Sequence, residues 1–108
     1  MTAVIPRVLI AQMETAHREN AQHLDLVFQQ IGLRAERLTI KAKPRSGRPS
    51  GSRWTRTDEQ LYQLHVDRLT VERRGEIEAL SRKLTRQEVA LDEARARQGS
   101  GRGVARSK

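Results

Sequence analysis

The chain has no cysteine, which excludes disulfide stapling and thiolate metal sites. Phe28, Trp54 and Tyr62 are its whole aromatic complement, and 36% of its 108 residues are hydrophobic. So few large side chains predict no single large core. They predict several helices that share modest apolar stripes. No stretch approaches the roughly 18 apolar residues of a membrane span. The opening "MTAVIPRVLIAQ" turns polar too early for a secretory signal. A soluble, cytoplasmic chain with no membrane partner is therefore expected. The signatures of catalysis are missing as well. There is no Gly-x-Ser-x-Gly, no phosphate-binding loop and no histidine pair with an acid at zinc spacing. His17 and His23 have no third ligand of suitable type nearby. The expectation is a protein without catalytic residues, metal ligands or a cofactor, and not an enzyme.

What the chain does have is positive charge, a formal net of +8, carried mostly by arginine. The charge is unevenly placed. In residues 1–40, Arg7, Arg18, Arg34 and Arg37 are cancelled by Glu14, Glu19, Asp25 and Glu36. In residues 41–56, Lys41, Lys43, Arg45, Arg48, Arg53 and Arg56 meet no acid at all. Residues 57–97 nearly balance, and the last eleven residues add Arg102, Arg106 and Lys108. The excess thus lies in two segments rich in Gly, Ser or Pro that lack apolar periodicity. Solubility alone needs no such clustering. Charge-dense arms of this kind suit a phosphate backbone, because counterion release rewards charge density and not a rigid surface.

Residues 7–31 read as an amphipathic helix. Ile10, Met13, His17, Asn20, Leu24, Val27 and Ile31 alternate steps of three and four, as in a heptad seam. Gly32 is placed as a C-cap, with Leu33 to pack back on the last turn. A lone helix of this length is marginal in water, so the stripe needs a partner. That partner is the second half of the chain or a second copy. A homodimer through Ile10, Met13, Leu24, Val27 and Ile31 is the expectation adopted. Leu38, Ile40 and Ala42 alternate with Thr39, Lys41 and Lys43, which predicts a short extended segment.

In the basic stretch, Gly47, Arg48 and Pro49 of "SGRPSG" resemble the centre of an AT-hook, a minor-groove motif, with Ser46 where that motif has its first arginine. Beyond it, Thr57 and Gln60 are spaced as a capping box and open a helix whose apolar side holds Leu61, Leu64 and the 68/69 turn. Gly75 marks the next break. Ile77, Leu80 and Leu84 then carry a second helix. Thr85 and Glu88 form another box that would start a third at Arg86, ending near Gln98 before Gly99.

Leu80, Ser81, Leu84, Thr85 and Leu91 occupy the places by which residues 80–97 resemble the helix-turn-helix of bacterial regulators. With Trp54-Thr55 upstream, residues 54–97 are also similar to Myb/SANT-like three-helix domains. The resemblance implies DNA binding, with Arg86 and Gln87 facing the major groove, as arginine and glutamine suit guanine and adenine edges. A second reading stays open beside it. Ile77, Leu80, Leu84, Gln87, Leu91 and Ala94 also form one unbroken heptad seam, which makes residues 54–98 a helical hairpin or coiled coil.

The sequence thus predicts an all-α chain in four parts: an N-terminal helix in 1–40, a flexible basic linker in 41–56, a helical unit in 57–98 and a disordered basic tail in 99–108. The expected function is nucleic acid binding, DNA ahead of RNA, as a regulator or accessory factor. The phosphate contacts would be Lys41, Lys43, Arg45, Arg48, Arg53, Arg56, Arg102 and Arg106. A nucleoid-associated location follows if DNA is the partner. The alternative is a non-enzymatic helical module that binds an acidic protein partner.

Overall fold

Proline sets the ends of the first helix. Pro6 precedes it, and its carbonyl accepts from the amides of Leu9 at 3.0 Å and Ile10 at 3.1 Å. Pro44 follows Lys43 in the sequence, and a residue before proline avoids helical backbone. Between them α1 runs from Arg7 to Ala42. In the computed structural model, which describes residues 6–43 and 53–106 and side chains as far as Gln98, two more helices follow, α2 (Arg56–Glu72) and α3 (Arg74–Arg106). The chain is all-α, with no strand among the described residues.

Several expected boundaries move. Gly32 does not cap α1, which continues ten residues past it. A glycine costs roughly 1 kcal/mol in a helix interior but does not forbid the helix. The extended segment at 38–43 is helical up to Ala42, because a lone strand has nothing to pair with. There Thr39 is fully buried and its hydroxyl donates to the Ala35 carbonyl at 2.8 Å. The helices therefore take the first two residues and the last residue of the expected linker, and residues 44–52 lie outside the described ones.

α2 starts earlier than expected. Thr55 is its N-cap, and the capping box joins Thr55 to Asp58, not Thr57 to Gln60. Its buried side runs through Asp58 and Leu69, with Leu61 half-buried, whereas Leu64 is 56% exposed. The break that follows falls at Arg73, two residues before Gly75. α3 has no turn at Thr85, where the helix-turn-helix resemblance places one. The helix is continuous, and the Thr85 hydroxyl donates back to the Ser81 carbonyl at 3.1 Å. No glycine or proline stands between Glu76 and Gln98 to force a turn. α3 also passes Gly99 and ends at Arg106, inside the expected tail.

The chain divides into two compact units. One takes Met1–Leu24 and Glu78–Lys108, the other Asp25–Ile77. In the first, α1 and α3 run antiparallel: Arg95 donates to Glu14 at 2.8 Å and His17 meets Glu88 at 3.1 Å. Ile10, Leu91 and Ala94 form its buried cluster, with Met13 packed against it. On α3, Leu80, Leu84, Gln87, Leu91 and Ala94 are buried or half-buried at alternating steps of four and three, so the single-helix seam is the pattern the fold uses. In the second unit, α1 and α2 form an antiparallel hairpin. Lys43 pairs with Asp58 near one end, and Arg73 donates to Gln30 at 2.9 Å near the other. Val27, Ile31, Ala35 and Thr39 are the buried residues of α1 here. Steps of four carry that line about 40° around the helix each time.

Candidate nucleic-acid interface

The described phosphate-contact candidates occupy two different environments. Lys41 is exposed at the end of α1, and Arg53 and Arg56 are exposed at the start of α2. These three meet at the same end of the hairpin and form no ion pair among the described residues. Lys43 differs. Its Nζ lies 3.0 Å from Asp58 Oδ2, donates to the Arg53 carbonyl at 3.2 Å and sits 5.8 Å from the centroid of the Trp54 ring. That lysine closes the hairpin. Arg45 and Arg48 lie outside the described residues, as do the side chains of Arg102 and Arg106.

The acids at this end are held ionised. Asp58 has its pKa lowered, first by the Thr55 backbone N–H and then by Lys43, with burial working the other way. Glu59 is lowered by the Gln63 amide and the Trp54 indole N–H. Trp54 stands edge-on to Tyr62, ring centroids 6.0 Å apart, and its Nε1 donates to Glu59 at 2.9 Å.

The pair expected to read bases is split by the fold. Arg86 is exposed, but Gln87 belongs to the α3 seam, and its Oε1 is buried without a hydrogen-bond partner. The residues expected at a dimer seam are covered without a second copy. Ile10, Val27 and Ile31 are 7%, 1% and 3% exposed, and Met13 and Leu24 are half-buried. Of the two partners open to that stripe, the chain's own second half covers it.

Sequence reasoning passed over two grooves in the second unit. One, of about 300 Å³, is lined by Arg34, Arg37 and Arg73, by Gln30, and by the apolar Ile31, Leu33 and Leu69. The other, of about 500 Å³, has Leu33 again, with Trp54, Tyr62, Glu36 and Glu59 among its lining. Arg34 and Arg37 were hidden by the zero charge sum of residues 1–40. The signal that finds them is spacing: Arg34, Arg37 and Lys41 follow at three and four, on one flank of α1. Among the described residues no group of three or more His, Asp or Glu stands where it could hold a metal ion, and no helix is long and apolar enough to cross a membrane.

Comparison with protein-family models, with curated proteins and with solved structures finds no match to this chain.

Proposed function

We propose that the chain is a non-enzymatic nucleic acid-binding protein, DNA ahead of RNA, that holds phosphates with the basic tip of its α1–α2 hairpin. The observation that carries this reading is the charge of residues 41–56, which has no acid within the segment; among its described residues Lys43 alone is spent on an internal ion pair. Lys41, Arg53 and Arg56 are the described members of this phosphate-holding set, and Arg102 and Arg106 add a second set of contacts. Selectivity by a helix laid in the major groove receives no support from Gln87, whose amide oxygen is buried. The reading is therefore an accessory or regulatory factor whose affinity comes from phosphates. A homodimer remains compatible with it but needs a face other than the covered seam.

The test replaces Lys41, Arg45, Arg48, Arg53 and Arg56 together by glutamine, sparing the structural Lys43. Nucleic acid binding of the wild type weakens steeply with salt, and the variant loses roughly 0.7 to 0.9 of log–log slope for each phosphate contact removed. An unchanged slope sinks the tip as a phosphate clamp.

One observation favours the second reading, a helical module for an acidic protein partner. Leu26, Leu33 and Ile40 are 48%, 52% and 54% exposed at seven-residue spacing, a stripe a partner helix could cover. Absence of any nucleic acid binding at low salt would turn the choice to it.

A further inference from the structure

The basic flank of α1 and the two grooves that meet at Leu33 form one surface with two chemistries. We propose that the second unit binds single-stranded nucleic acid across Leu33, with the strand's phosphates on Arg34, Arg37 and Lys41 and a base against Trp54 and Tyr62. The inference rests on the nucleic acid reading above and adds the form of the ligand and a site outside the 41–56 tip.

The charge comes first. Of the three arginines in the smaller groove, Arg73 is already engaged, by Glu76 at 2.8 Å and by Gln30 at 2.9 Å. Arg34 and Arg37 are exposed and form no ion pair among the described residues. Like charges three apart on a helix cost a few tenths of a kcal/mol, so the charge of the pair does not stabilise the helix. It leaves two uncompensated guanidinium groups beside an apolar wall. Lys41 continues the same flank toward the tip. From Arg34 to Lys41 the helix rises about 10 Å, the span of about three phosphates of one stacked strand. One strand can therefore run from the tip along α1.

The second groove has the opposite character. Glu36 and Glu59 line it, and Glu59 is held ionised by the Gln63 amide and the Trp54 indole. Those carboxylates exclude phosphate. What remains there for a ligand is the aromatic surface, Trp54 being 42% exposed, and aromatic faces take unstacked bases whatever their sequence. Gly32 also lines that groove, 3.4 Å from the Tyr62 hydroxyl at the place a Cβ would take. A duplex keeps its base faces stacked inside and offers such a surface phosphates and groove edges but no face to stack on. A single strand offers a phosphate to one side of Leu33 and a base to the other.

The experiment titrates a labelled mixed-sequence single strand, and the duplex of the same sequence, into the full chain over a salt series. Fluorescence anisotropy and the emission of Trp54, the single tryptophan, are followed together. The single strand is expected to bind more tightly than the duplex and to change Trp54 emission where the duplex does not. The Arg34→Gln, Arg37→Gln double variant, which removes no described contact, should lose about 1.4 of the log–log salt slope for the single strand. Its circular dichroism should match the wild type. Equal or tighter duplex binding, or an unmoved Trp54 signal, overturns the proposal. So does a double variant with the wild-type slope while the tip variant loses its own, and that result leaves the nucleic acid reading standing. If neither strand form binds, both readings fall together.

Discussion

Asp58 joins the two helices of the second unit through one carboxylate. Its Oδ2 accepts the Thr55 amide at 2.8 Å and lies 3.0 Å from Lys43 Nζ, while its own amide donates to Thr55 Oγ1 at 3.0 Å. The Thr55 amide and Lys43 hold its pKa below the ordinary 3.8. A carboxylate whose folded pKa is depressed adds stability that is present above its unfolded value. That stability is lost as the pH falls through the lower folded value. Helix content followed by circular dichroism should therefore fall on acid titration below about pH 4, and Asp58→Asn should lack that part of the acid limb. Parallel acid limbs for the two proteins would remove Asp58 from this role. Thr55→Ala should cost about 1 kcal/mol in urea unfolding through the lost cap. Spacing places the capping box at Thr57 and Gln60, whereas the helix builds it from Thr55 and Asp58. One contact that favours this box comes from elsewhere in the chain: Lys43 reaches Asp58, with Trp54 edge-on to Tyr62 beside it. At this scale the charge pattern of 41–56 was legible. The internal use of Lys43 was not, because its partner lies fifteen positions on.

The helices show where periodicity suffices and where it does not. The seam of α1 from Ile10 to Ile31 is buried or half-buried at every one of its positions, as a repeat of three and four requires. The α3 seam through Ile77, Leu80, Leu84, Gln87, Leu91 and Ala94 was equally legible, but so was a turn at Thr85. Local spacing cannot rank them, since threonine can cap a helix or bond back to a carbonyl within one. The back-bond to Ser81 and the absence of Gly or Pro from 76 to 98 decide for one helix. Gly32 misleads for the opposite reason: glycine permits a cap without demanding one, and here it lies inside α1 with the Tyr62 hydroxyl 3.4 Å from where a Cβ would stand. Gly75 has no such neighbour. A Cβ there meets nothing within 4 Å, and the residue lies in the first turn of α3. Gly75→Ala should raise stability by about 0.5–1 kcal/mol, read as a higher urea midpoint with unchanged slope. A loss of stability would mean that the α2–α3 break needs glycine's freedom.

For the molecule as a whole, α1 is the shared component: its first part belongs to one unit and its second to the other. Neither unit has a core of its own large enough to be generous. The first relies on a cluster of Ile10, Leu91 and Ala94 with Met13, and the second buries Val27, Ile31, Ala35 and Leu69. This is the outcome that a chain with three aromatic residues and modest stripes predicts, and it is why the all-α class was readable from composition and period alone. The grooves were not readable, since each is built by residues from both arms of the hairpin and no linear pattern joins Leu33 to Trp54 or Arg73. Small cores also open locally, in units that follow the contacts. Leu91 is 3% exposed, and Leu91→Ala should cost about 2–5 kcal/mol where its cavity is felt. Amide hydrogen exchange should then accelerate in residues 7–24 and 78–95, with residues in 25–77 less affected. Binding of a single strand should survive at the second unit under conditions that keep α1 helical there. Uniform acceleration along the whole chain would show instead that the two units unfold as one, and that the ligand surface depends on Leu91 as much as on its own residues.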